Sequence, residues 1–277
     1  MTAVPFSLSV PEEVRPHHAF VLHGILGNHT NWRGFARQLA ADLPLWTFHL
    51  IDLRNHGKTG SVPGPHTLAD VTDDLDRLAE QVGVPEVIVG HSFGGKVALE
   101  YARRRPAGLR QAWVLDATPH AMPHGPRDDH EVGRVIGALR QVRQPLPKRA
   151  DVMSELEALG MPLSIQKWMT TNLRRSDDGY VWTFDLDGAE QMLSDYFKRD
   201  LWGPLESAET DAPAVHLVRA GRSDRWTTDV IRRLEDLPPA AAGRVHLLPN
   251  AGHWVHVDAP SDLRDLLVRH WPCDESS

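Results

Sequence analysis

The sequence predicts an α/β fold, with a mostly parallel sheet flanked by helices and an inserted helical cap. Three observations carry this reading. Short apolar, β-branched runs stop at turn residues; stretches between them repeat apolar residues at three- and four-residue steps; and this alternation fails from about Pro119 to Pro213, where prolines and helical patterns replace strands. Alternating strands and helices imply parallel pairing, because a parallel pair needs a long connection that covers one sheet face.

The elements follow in order. Ala19 to Leu22 is an apolar run ending at His23-Gly24, and Leu45 to Leu53 is a second, ending before Arg54-Asn55-His56-Gly57. From Leu68 to Val82, Leu68, Val71, Leu75, Leu78 and Val82 make one apolar face, with Asp73, Asp74, Asp76 and Arg77 on the other, which predicts an amphipathic helix. Val87-Ile88-Val89 reads as a strand into Gly90, Phe93 to Arg105 as a helix, and Ala112 to Leu115 as a strand into Asp116. After the interruption, Val215 to Val218 and Val245 to Leu248 read as strands, and Thr227 to Leu237 and Pro260 to Trp271 as helices. The expected division is a core of residues 1–118 and 214–277 and a cap of residues 119–213.

Composition limits the function classes. A chain of 277 residues, 41% hydrophobic and 24% charged, is long enough to bury one large core. A net charge of −7 without a basic stripe gives no surface for nucleic acid. The single cysteine, Cys273, rules out an internal disulfide and a thiolate metal cage, and fits a cytoplasmic protein. Met1 to Pro16 lack a basic start followed by an apolar run, and no stretch approaches the about 18 apolar residues that span a membrane. A soluble chain with no export signal and no membrane partner is expected; oligomeric state has no signature here.

Gly90-His91-Ser92-Phe93-Gly94 matches the G-x-S-x-G turn in which a serine stands between a strand and a helix. Glycines flank it because larger side chains collide with the neighbouring strand and helix, and the helix amides favour negative charge on an attacked carbonyl oxygen. The same segment nearly forms a phosphate loop, with Gly95-Lys96 after four intervening residues, but Val97 stands where a magnesium-binding hydroxyl is required. A serine nucleophile needs a histidine base and an orienting carboxylate, in the chain order serine, acid, histidine. Of the sixteen histidines, His253 in Asn250-Ala251-Gly252-His253-Trp254 follows the last strand and is the expected base. Two aspartates compete as the acid. Asp224, after the penultimate strand in Gly221-Arg222-Ser223-Asp224, is slightly favoured over Asp116 in Leu115-Asp116-Ala117-Thr118-Pro119.

The run His23-Gly24-Ile25-Leu26-Gly27 ends an early strand and is a candidate for a second oxyanion-hole amide, from Ile25, beside that of Phe93. His23, Gly24, His91, Trp182 and Trp254 are expected to bind substrate. Neither His253 with His256 nor His120, His124 and His130 with Asp128 and Asp129 has a metal-site spacing, so neither a metal nor another cofactor is expected.

With these residues assembled, the chain resembles the α/β-hydrolase superfamily outside its cap. Asp52-Leu53-Arg54-Asn55-His56-Gly57, Gly90 to Lys96, Ala251 to His256 and, in the cap, Thr171-Asn172-Leu173 with Val181-Trp182 are similar to YbfF-type esterases and the abhydrolase-domain 11 proteins. The resemblance implies the α/β-hydrolase fold and a cofactor-free serine hydrolase, a carboxylesterase or thioesterase acting on small-molecule acyl esters or thioesters. It also implies the acid at the strand end matching Asp116, and these relatives lack an aspartate at Asp224, so both carboxylates stay open. Cofactor-free peroxidases, lyases and carbon–carbon bond hydrolases share such triads, and a non-catalytic small-molecule binder is a further alternative.

Overall fold

The computed structural model describes residues 4–122 and 131–272; His124, Asp128, Asp129, His130 and Cys273 lie outside the described residues. The first half runs β1 (Ser7–Val10), β2 (His17–Leu22), α1 (Arg33–Asp42), β3 (Trp46–Ile51), α2 (Leu68–Val82), β4 (Val87–His91), α3 (Phe93–Arg104) and β5 (Gln111–Leu115). Then come α4 (Glu131–Leu139), α5 (Asp151–Ala158), α6 (Leu163–Thr170), β6 (Leu173–Ser176), β7 (Gly179–Trp182), α7 (Leu186–Lys198) and α8 (Gly203–Glu206). The chain closes with β8 (Ala214–Ala220), α9 (Thr228–Glu235), β9 (Gly243–Leu248), α10 (Val255–Asp258) and α11 (Pro260–His270).

Among the described residues, seven strands form one sheet in the order β1-β3-β2-β4-β5-β8-β9. Every pairing is parallel except that of β1 with β3. Every residue of β3 and β4 is buried, because helices cover both faces, and this is why these strands read as unbroken apolar runs. The register matters most for function. Leu22 stands opposite Gly90, His91 opposite Leu115, and Leu115 opposite Val218. The turns that follow β2, β4 and β5 therefore leave from one sheet edge, where open α/β sheets bind their ligands.

Helix α2 begins at a reciprocal cap: Asp70 N–H donates to Thr67 Oγ1 at 3.2 Å and Thr67 N–H to Asp70 Oδ2 at 2.9 Å. Its apolar stripe is buried as the spacing predicts, but Asp74 departs from the expected solvent face. Arg54 Nε and Nη2 donate to the Asp74 carboxylate at 2.6 and 2.8 Å, and this bidentate pair ties the loop after β3 to the helix.

The segment between β5 and β8 was expected to be a mostly helical cap without strands; beside its helices it contains the antiparallel pair β6 and β7, with Ser176 opposite Gly179. The turn is Asp177-Asp178, leading into Gly179, a short-loop signal that helical periodicity on either side obscures. Among the described residues, no helix is long and apolar enough to cross a membrane.

Candidate active site

Ser92 sits between β4 and α3 at φ 53°, ψ −116°, a conformation that costs a residue with a side chain about 1–3 kcal/mol. The flanking glycines make the turn possible. A Cβ on Gly90 would overlap the Gly94 carbonyl oxygen, and one on Gly94 would stand 2.5 Å from the His23 carbonyl oxygen. Ser92 N–H donates to Leu115 O at 2.9 Å, so the turn is pinned to the neighbouring strand end. Its hydroxyl is left at the N-terminus of α3, beside the amide of Phe93.

His253, in the loop after β9, meets this hydroxyl: Nε2 lies 3.1 Å from Ser92 Oγ. Its Nδ1–H donates to Asp116 Oδ2 at 2.8 Å. Asp116 Oδ1 in turn accepts the Ala220 amide at 3.0 Å and the Trp226 indole N–H at 2.7 Å. This 1%-exposed carboxylate thus receives three donors, which offset its burial and fix its orientation. A donor at Nδ1 leaves Nε2 of His253 as the acceptor facing Ser92.

The structure brings Asp116, and not the slightly favoured Asp224, to His253. Its side chain is 84% exposed, and its Oδ1 faces Arg225 Nε at 3.4 Å rather than an imidazole. Asp116 follows directly on β5, two strands from Leu22 and next to His91, whereas Asp224 lies further out along the loop after β8. That same loop still reaches Asp116, through Trp226, a residue the sequence did not single out.

His23 and Trp182, both expected to bind substrate, do not line the cavity described below. His23 is buried; its Nδ1–H donates to Gly24 O at 2.7 Å, and its Nε2 accepts the Leu53 amide at 3.0 Å. Burial lowers the His23 imidazole below its ordinary range, so it stays neutral and braces the loop that carries Ile25. Next to it, His56 Nε2 accepts the Leu26 amide at 2.9 Å, and Asn172 Nδ2 donates to Leu26 O at 2.9 Å. Trp182 stacks on Phe184, with ring centroids 5.2 Å apart. Position in a motif cannot separate a ring that faces a ligand from one that packs.

A cavity of about 510 Å³ opens over Ser92 and His253. Gly24, Ile25, His91, Phe93 and Trp254 line it near the serine. His91 Nε2–H donates to the His253 carbonyl at 2.7 Å; burial, with His253 and His256 nearby, holds its imidazole well below its ordinary range, so His91 braces the backbone of His253. Further out, Val135 of α4, Ile165 and Trp168 of α6, and Leu193 and Phe197 of α7 make an apolar wall, with Trp168 edge-on to Trp254 at 4.8 Å. Glu131 and Arg225, paired at 3.2 Å, stand with Asp224 on its polar side.

Lys96 does not face this cavity's serine as a phosphate-loop lysine would face phosphate. Its Nζ donates to Tyr196 O at 2.8 Å and His120 O at 3.0 Å. Burial pushes the ammonium down to about 7, against the pull of Asp200 and Asp195. Among the described residues, no group of three or more His, Cys, Asp or Glu side chains is arranged to hold a metal ion.

A mostly parallel sheet with a strained serine turn, and a histidine and aspartate converging on it at one edge, defines the architecture of an α/β-hydrolase. A model of the Alpha/beta hydrolase family matches residues 19–266, and the chain belongs to that family. The sn-1-specific diacylglycerol lipase ABHD11 of Mus musculus is 30% identical over 255 residues, covering 89% of this chain and 78% of that protein. Its counterpart in Danio rerio is 28% identical over 254 residues, covering 89% and 76%. Among solved structures, a marine microorganism esterase superposes with a TM-score of 0.79 at 21% identity, over 96% of this chain and 99% of its own, and so shares the fold.

Proposed function

We propose that this protein hydrolyses carboxylic esters or thioesters through an acyl-enzyme intermediate. Ser92 is the nucleophile, His253 the general base, Asp116 the carboxylate that orients it, and the amides of Ile25 and Phe93 the oxyanion hole. The observation that carries this is the continuous chain Ser92 Oγ, His253 Nε2, His253 Nδ1, Asp116 Oδ2, with links of 3.1 and 2.8 Å, at the floor of a cavity.

In the first step His253 Nε2 takes the Ser92 proton as Oγ bonds to the acyl carbon. The carbonyl oxygen becomes an oxyanion facing the two amides, and the imidazolium then gives its proton to the departing alcohol or thiol. In the second step His253 takes a proton from water, whose oxygen attacks the acyl carbon; the acid leaves and Ser92 recovers its proton. Asp116 remains a carboxylate throughout and stabilises the imidazolium. All these groups belong to the chain itself, so the reading requires no metal or redox cofactor.

Residues 119–213 act in this account as a cap whose helices close the cavity. The apolar wall of Val135, Ile165, Trp168, Leu193 and Phe197 suits a hydrocarbon acyl chain. The names of the Mus musculus relative and the marine neighbour, a lipase and an esterase, support an ester substrate. The test is turnover on a panel of nitrophenyl esters and acyl-CoA thioesters of graded chain length. Ser92→Ala should abolish hydrolysis of every substrate the native protein cleaves; undiminished turnover overturns the proposal.

A further inference from the structure

Asp116 Oδ1 is not idle. It receives the Ala220 amide at 3.0 Å and, at 2.7 Å, the indole N–H of Trp226, from the loop that runs from β8 to α9. The shorter of these bonds comes from a side chain that does not line the cavity, although its neighbours Arg225 and Thr227 do. Trp226 is half-buried and packs on the main apolar core, so its ring has a second anchor.

We propose that Trp226 is a positioning residue for the acid: its indole N–H clamps the Asp116 carboxylate so that Oδ2 is presented to His253, and it draws negative charge away from that oxygen. This rests on the hydrolase reading given above. The clamp acts through Asp116 and touches neither substrate nor the reacting atoms. Asp116 has a left-handed backbone conformation, φ 48°, and two Oδ1 donors, one at the end of β8 and one in the loop after it, hold its carboxylate in place.

The other titratable groups facing the pair do not share this role. His91 and His256 are kept neutral, the first held well below its ordinary range and the second pushed down to about 4, both by burial first and then by His253. Burial raises the Tyr196 phenol to about 12. Arg225 points to Glu131, with Nη2 3.2 Å from Oε2. Trp226 is neutral, so its effect is a directed hydrogen bond and not a long-range field.

Two variants separate the N–H from the ring. Trp226→Phe keeps an aromatic ring and removes the donor; Trp226→Gln removes the ring and supplies an amide donor of similar reach. Losing a hydrogen bond to a charged group should lower kcat of Trp226→Phe about tenfold or more, with KM little changed. With one donor fewer, Asp116 pulls harder on His253 Nδ1–H. The acid limb of the kcat/KM profile should move to higher pH, and the low-field His253 Nδ1 proton resonance should move downfield. Trp226→Gln should restore the limb and the resonance towards the native positions, whatever it does to thermal stability.

A Trp226→Phe protein with native kcat, acid limb and resonance overturns the proposal. So does a Trp226→Gln protein displaced as far as Trp226→Phe, which would mean that only the ring matters. The resonance is read in the resting protein, so it decides the role of Trp226 even if Ser92→Ala retains full turnover, the result that would remove the hydrolase reading instead.

Discussion

Replacing Asp116 by asparagine tests the assignment of the acid where the two sequence candidates diverge. Asp116 accepts three N–H donors, from Ala220, Trp226 and His253, at 3.0, 2.7 and 2.8 Å. Asparagine offers one acceptor oxygen and one NH₂ group in the same space. If its oxygen keeps Ala220 and Trp226, its NH₂ faces His253 Nδ1, which must then accept. The imidazole proton moves to Nε2, the atom 3.1 Å from Ser92 Oγ, and the ring can no longer take the serine proton. Loss of the correct tautomer in such a triad lowers kcat by about 10⁴, or about 5 kcal/mol of transition-state stabilisation. The 84%-exposed Asp224 carboxylate makes only a 3.4 Å contact with Arg225, so Asp224→Asn should leave kcat/KM within about twofold. The assay is steady-state hydrolysis of a short nitrophenyl ester by both variants, with thermal unfolding to establish that each is folded. An Asp116→Asn protein within tenfold of native activity, or an Asp224→Asn protein more impaired than it, refutes the reasoning.

The serine turn makes a stability prediction with an internal control. Gly94→Ala places a methyl group 2.5 Å from the His23 carbonyl oxygen and should lower stability by about 1–3 kcal/mol or more, whereas Gly34→Ala, in α1 with open space around it, should be neutral or gain about 0.5–1 kcal/mol; chemical denaturation measures both, and equal effects would contradict the packing account. Lys96 predicts a pH dependence. Burial lowers it from 10.5 to about 7 in the folded chain, so between these values the unfolded chain binds more protons, and stability rises with pH by about 1.4 kcal/mol per unit over that window, staying at its lower level below it. Lys96→Met should therefore be favoured most at neutral pH, with its advantage shrinking as pH rises; a difference between native and variant that is constant from pH 7 to pH 9.5 would contradict the burial argument.

Much of the fold was legible because it depends on local spacing. The strands at Val87 and Val215 and the helix at Leu68 appear where period and turn residues put them, since buried parallel strands and amphipathic helices each leave a distinctive apolar pattern. The segment Gly90 to Gly94 was legible for a related reason: sterics at one turn dictate its residue types. Two other features were not. Asp74 sits at a solvent-face position of its helix yet is buried, paired with Arg54, twenty residues away, as well as with Arg77 on its own helix. Which of Asp116 and Asp224 meets His253 depends on groups more than a hundred residues from Asp116, His253 itself with Ala220 and Trp226, and no local pattern records that meeting. The same holds for His23 and Trp182, whose rings turn to partners in the protein interior rather than to the cavity.

The central claim, that a hydroxyl at the β4–α3 turn is made nucleophilic by the imidazole after β9, is tested most directly by active-site labelling. The native protein is treated with a fluorophosphonate and the modified peptide is mapped by mass spectrometry, with His253→Ala alongside. A single adduct on Ser92, formed at least a hundredfold more slowly without the imidazole, is the expected result. An adduct on another residue, or a Ser92 adduct that forms as fast in His253→Ala, would contradict it.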